Sequence, residues 1–157
     1  MNDSPRWLDE KESRAWRGYQ ALRRDLDSTL ERRLSRDSGL SAADYQLLVV
    51  LSETEGQRLR ARELRNEVRW DRSRLAHQVR RMEQRGLLLR TECETDARGT
   101  MVELTPEGRR AIEDAAPLHL VAVRNYFIDL LTPEELDVLA AIAERVRAKV
   151  GDEGCDE

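Results

Sequence analysis

Residues 71–90, DRSRLAHQVRRMEQRGLLLR, hold six arginines, one histidine and only two carboxylates, Asp71 and Glu83. The chemistry open to such a set is recognition of anions. A guanidinium is a planar fork of donors that matches a phosphate or the O6/N7 edge of a guanine, and an imidazole can donate or accept. The whole chain is net acidic, at −4 over 157 residues, so the positive charge is local. Residues 1–57 carry 9 basic and 11 acidic side chains, residues 58–90 carry 11 and 4, and residues 91–157 carry 7 and 16. A segregated patch sets the field felt by a nearby phosphate, whatever the net charge. The plainer account is a solvated helix face laced with i,i+4 pairs.

Other chemistries find little support. Cys93 and Cys155 give neither a disulfide framework nor, with His77 and His119, a zinc-ligand spacing. There is no Gly-rich phosphate loop and no nucleophile elbow. The acidic pair Glu134–Glu135 has a sufficient structural role in a helix cap. The expectation is a non-enzyme without cofactor or metal. No apolar stretch approaches the ~18–20 residues of a membrane span, and residues 1–14 lack an apolar signal core. A cytoplasmic protein without membrane contact is expected.

The basic residues must be positioned by helices. Trp16, Tyr19, Leu22, Leu26, Leu30 and Leu34 recur at three or four, which predicts a long amphipathic helix from Trp7 to about Leu34. Gly39 is its expected stop, and Ser41 with Asp44 the capping box of a second helix over about 42–52. A turn over ETEGQR leads to a short helix over about 61–68, with Ala61, Leu64 and Val68 inward. Asp71 then caps a helix whose buried stripe is Leu75, Val79 and Met82. At about 100° per residue Ser73, His77, Arg80 and Gln84 point away from that stripe, with Arg74 and Arg81 flanking. After Gly86 the period changes to two, so LLLRTEC and TMVEL read as a β-hairpin with ETDARG as its turn. Thr105–Pro106–Glu107 starts a helix expected to reach about Leu131, with a kink or local break near Pro117. Thr132–Pro133–Glu134–Glu135 starts the last helix, followed by an acidic, frayed tail, GDEGCDE.

This order is mainly α with a small β-wing. It reads as a winged helix-turn-helix, in which a first helix braces on the duplex backbone and a second enters the major groove. Arg74 and His77 would reach base edges, and Ser73 a base or a phosphate near the helix N-terminus. Arg58, Arg60, Arg62, Arg80, Arg81 and Arg85 are phosphate contacts or surface charge, and Arg72 and Gln78 complete the expected set. The terminal helices carry more apolar stripe than one small core can bury, which points to a homodimer.

The stretch LRARELRNEVRWDRSRLAHQVRRMEQRGLLLRTECETDARGTMVELTPEGRR, residues 59–110, resembles the multiple antibiotic resistance regulator (MarR) family of bacterial transcription factors. REL, the helix 71–90, DAR and VELTPEGRR carry the likeness together. The resemblance implies one domain over 1–157, with the winged helix-turn-helix over 36–105 and dimerisation helices over 5–35 and 106–150. It implies a homodimeric regulator, a repressor, on a pseudo-palindromic double-stranded operator. It also implies that Arg98 enters the minor groove with Asp96 orienting it. Many relatives bind small aromatic compounds, for which Trp16, Tyr19, Tyr45, His119 and Phe127 are the candidate lining here. No cysteine precedes Cys93, so the family's N-terminal redox mechanism is not expected. Arg69–Trp70 stands where the family commonly has small residues; Trp70 either packs under the recognition helix or lines a pocket. The competing function is a dimeric helical module that binds protein and does not read DNA.

Overall fold

Most helices of this chain begin where a short polar side chain caps them. The computed structural model describes the backbone of residues 5–93 and 96–153 and the side chains of 5–92 and 99–151. Helix α1 (Glu10–Ser38) starts at Asp9, whose carboxylate accepts from Glu12 N–H at 2.7 Å while Glu12 accepts from Asp9 N–H at 3.0 Å. The start falls three residues after Trp7 because the reciprocal cap outweighs apolar periodicity there. Gly39, at φ 70°, ends the helix in the left-handed region. Helix α2 (Ala42–Glu53) opens on the expected box of Ser41 and Asp44.

A 3-10 turn (Glu55–Gln57) and strand β1 (Arg58–Arg60) replace the expected turn, and helix α3 (Ala61–Val68) follows. Helix α4 (Arg72–Gln84) is capped by Asp71, which accepts from Arg74 N–H at 2.9 Å. Strands β2 (Leu88–Cys93) and β3 (Asp96–Leu104) pair antiparallel, with Leu88 opposite Leu104 and Thr91 opposite Met101. The sheet order is β1-β3-β2, with Leu59 opposite Val102. The expected two-stranded wing thus gains a third strand at its base, and β3 already begins at Asp96 where a turn was expected.

Helix α5 (Pro106–Tyr126) runs unbroken through Pro117, since one lost hydrogen bond leaves the flanking turns intact. It stops short of Leu131, because Phe127 leaves helical space at φ −143°, ψ −67°, and a 3-10 turn spans Ile128–Leu130. Helix α6 (Pro133–Glu153) starts in the box of Thr132 and Glu135 and continues into the segment expected to fray. Cys155 lies outside the described residues. Among the described residues no helix is long and apolar enough to cross a membrane, and no cluster could hold a metal ion.

The chain packs as two compact units, residues 1–120 and 121–157. The core of the first gathers Leu47, Leu48 and Leu51 of α2, Leu64 of α3, Met82 of α4 and Leu88 and Val102 of the hairpin. All of these are fully buried. Burying each such side chain removes about 1.5–3 kcal/mol worth of apolar surface from water. At the rim of this core the start of α5 is welded to the end of α4. Thr105 Oγ1 donates to Gly86 C=O at 2.6 Å and accepts from Gly108 N–H at 3.0 Å. Gly108 lies so close that an added Cβ would meet Leu87 C=O at 2.1 Å.

Candidate nucleic-acid interface

Helix α4 divides its residues by face. Leu75, Val79 and Met82 are buried in the core, whereas Arg72, Ser73, Arg74, His77, Arg80 and Arg81 are exposed. The turn that aims this face is tight. Arg69 takes the left-handed conformation at φ 53° at the end of α3, and Trp70 N–H donates to Arg65 C=O at 3.3 Å. Trp70 and Leu75 then occupy the N′ and N4 positions around the Asp71 cap, both inside the core cluster, as in a hydrophobic staple. Of the two placements open for Trp70, the structure takes the packed one.

Gln78 differs from expectation. Its side chain is buried and its amide donates to Asp44 Oδ1 at 2.7 Å, so it does not stand on the exposed face. The reason is angular: residue 78 lies about 60° from Leu75 around the helix, at the edge of the buried stripe. Arg85 joins the same network, its Nη1 donating to Asp44 Oδ2 at 2.7 Å and its Nη2 to Gly39 C=O at 3.4 Å. Burial pushes the Asp44 carboxyl up. The hydrogen bonds from Arg85 and Ser41, with the Arg85 charge, outweigh that and hold it below the usual carboxylate range. One carboxylate therefore ties the cap of α2 to Gln78 within α4 and to Arg85 at its C-cap.

The field of the face follows from which arginines are already engaged. Arg85 is held by Asp44, and Arg90 by Glu83 at 2.7 Å. The hydrogen bond from Arg90 is the main cause that lowers the Glu83 carboxyl below its ordinary value. Among the described residues Arg72, Arg74, Arg80 and Arg81 make no ion pair with a carboxylate, so the outward face of α4 is cationic. Beside it, Arg60, Arg62, Arg65 and Arg72 line a crevice of about 470 Å³ floored by Leu75 and Val79. A phosphate backbone laid along α4 would meet guanidinium groups at both ends. Asp96 and Arg98 lie on β3 with side chains outside the described residues.

The aromatic candidates form two pairs. Trp16 and Tyr19 stack at 5.9 Å on the exposed part of α1. Tyr45 and His119 meet at 4.5 Å, tilted by 46°, and His119 Nδ1 is buried without a hydrogen-bond partner among the described residues. Burial lowers the His119 pKa, so the neutral imidazole is favoured. Phe127, half-buried, belongs to the second unit.

Comparison with known proteins agrees with this geometry. The pattern of the MarR family matches residues 40–100, which span the winged region. The structure superposes with TM-score 0.88 on Sco3205, a MarR family transcriptional regulator from Streptomyces coelicolor in complex with DNA, at 41% identity over 90% of this chain and 89% of that one. AbsC, a MarR family transcriptional regulator from the same organism, matches at TM-score 0.84 and 41% identity over 92% and 99%. The organohalide-sensing regulator RdhR-CbdbA1625, in its 2,4-dichlorophenol-bound form, shares the fold alone, with TM-score 0.79 at 17% identity over 95% and 88%. Among curated proteins none matches. A buried stripe that orients a cationic helix, a sheet at its end and these close relatives leave one assignment: the chain belongs to the MarR family of winged-helix, DNA-binding transcriptional regulators.

Proposed function

We propose that this regulator binds a pseudo-palindromic operator as a homodimer, with one α4 in each of two successive major grooves, and represses by occupying the promoter. The observation that carries the reading is the split of α4 into a fully packed stripe and a cationic face of Arg72, Ser73, Arg74, His77 and Arg81. Arg74 and His77 read base edges; Arg60, Arg62, Arg72, Arg81 and, partly, Arg85 hold phosphates. In the wing, Arg98 enters the minor groove and Asp96 orients it. The exposed apolar stripes of α1 and α6 supply the dimer contact.

The same reading includes a small aromatic effector. Tyr45 and His119 offer it two ring faces and an unsatisfied nitrogen, and the RdhR-CbdbA1625 relative carries 2,4-dichlorophenol. Trp16, Tyr19 and Phe127 are the further candidates for its lining.

Selection from a random duplex library at moderate salt, followed by sequencing, tests the function. Enrichment of an inverted repeat with half-sites about one helical turn apart is expected. Affinity for it should fall steeply with salt as counterions are released. No enrichment, or a salt-insensitive complex, overturns the reading.

A further inference from the structure

We propose that Trp70 is a positioning residue for sequence readout: its indole face pre-sets the Arg74 guanidinium at the N-terminal end of α4. One base pair of each half-site is then read by an arginine already in place. This rests on the DNA-reading function proposed above.

The Arg74 guanidinium carbon lies over the Trp70 ring at 4.2 Å from its centroid. That is well inside the ~6 Å within which a ring quadrupole attracts a cation. The ring is itself fixed. Trp70 is only 8% exposed and belongs to the core cluster, and its backbone N–H donates to Arg65 C=O. The other end of Arg74 is fixed too, since its backbone N–H donates to the Asp71 cap. A long, exposed side chain is thus held at root and tip, four residues along from the ring that holds it.

The nature of the partner matters more than the restraint. Arg85 and Arg90 are held by carboxylates, which take their N–H donors. A ring face attracts the charge and accepts none of the in-plane donors, and those donors are what pair with guanine O6 and N7. Among the described residues the Arg74 guanidinium makes no ion pair or hydrogen bond. It is therefore restrained in position and unspent in donors, which suits a base contact. Arg72, Arg80 and Arg81 have no such ring beneath them among the described residues, which suits looser phosphate contacts.

The test measures equilibrium binding of the full chain to its selected operator and to duplexes altered one base pair at a time. The variants are Trp70→Leu, Trp70→Phe and Arg74→Lys, each checked for native circular dichroism. Trp70→Leu should lower discrimination about two- to five-fold at one base pair, the value of an exposed cation–π contact. Arg74→Lys should flatten preference at that same pair. Other positions and the salt slope should not change. Trp70→Phe, which keeps a weaker ring, should fall between Trp70→Leu and wild type, and it decides the matter if Trp70→Leu does not fold. A uniform loss across all base pairs with an altered salt slope would make Trp70 a packing residue only and overturn the proposal. So would unchanged preference in the folded variants. If the wild type itself selects no sequence, the DNA-reading function falls and this inference with it. If the wild type selects and only the Trp70 variants show no pair-specific change, this inference falls alone.

Discussion

Between residues 40 and 104 most described apolar side chains, Leu89 apart, are buried or half-buried in the chain's own core, whereas along α1 and α6 most of them face outward. Leu47, Leu48, Leu51 and Leu64 are at 0% exposure; Trp16, Val138 and Val146 are above 50%. Helix α1 shows the change along its length: Trp16, Tyr19 and Leu22 exposed, Leu26 and Leu30 half-buried, Leu34 buried. On α6, Leu139, Ile142, Val146 and Val150 continue one stripe that stays exposed. The winged region is a finished object that presents charge. The outer helices leave their apolar faces exposed, and these are the faces that the proposed dimer would cover.

That contrast can be broken most directly in the core. Leu48→Ala should cost about 3 kcal/mol in urea unfolding, whereas Leu139→Ala on dilute protein should cost less than about 1 kcal/mol. Equal costs would abolish the distinction. The polar part of the finished region comes next. Asp44→Ala removes the carboxylate half of the Ser41–Asp44 capping box and strands the buried Gln78 amide, for about 2–3 kcal/mol. Because the folded Asp44 carboxyl lies below its ordinary 3.8, its contribution is complete above that pH and is lost as pH falls through the lower folded value. The gap between wild type and variant in acid titrations of unfolding should therefore narrow at low pH. A pH-independent gap would show that the charge of Asp44 is not what stabilises.

Association sharpens the other half. Leu139→Glu puts a carboxylate into the exposed stripe of α6 and should weaken self-association on the order of 100-fold by sedimentation, with unfolding of the dilute chain little changed. An unaltered association constant would remove α6 from the interface. The smallest effect belongs to His119. Its pKa is lowered by burial, so folding favours the neutral ring. Its contribution is present above the unfolded value near 6.5 and declines as pH falls through the folded one. His119→Phe should flatten that part of the stability–pH curve; an unflattened curve would assign the slope to another group.

Much of this is legible in the sequence, because caps and periodicity are local. Ser41 with Asp44 and Thr132 with Glu135 each announce a helix by a pair of residues three apart, and Asp71 does so alone as an N-cap. The cationic face of α4 follows from three apolar positions and the helical angle. What escaped depends on distant partners. Strand β1 is three residues long, too short to show alternation, and exists because β3 offers it an edge some forty residues later. Gln78 looked like a reader because it is polar. The wheel placed it beside Leu75 and Met82, and only the carboxylate of Asp44, 34 residues earlier, satisfies it there. The ring under Arg74 was signalled by i,i+4 spacing, but across a cap, where the helical rule gives no warrant.

The junction at Gly108 bears on how motion passes through the molecule. With Leu87 C=O where a Cβ would be and Thr105 bridging to Gly86, the first turn of α5 and the turn after α4 have no slack between them. A helix seated on a loose loop can tilt alone. Here a rotation at the root of α5 would carry the end of α4 and the base of β2 with it, and so would change where the arginines of α4 stand.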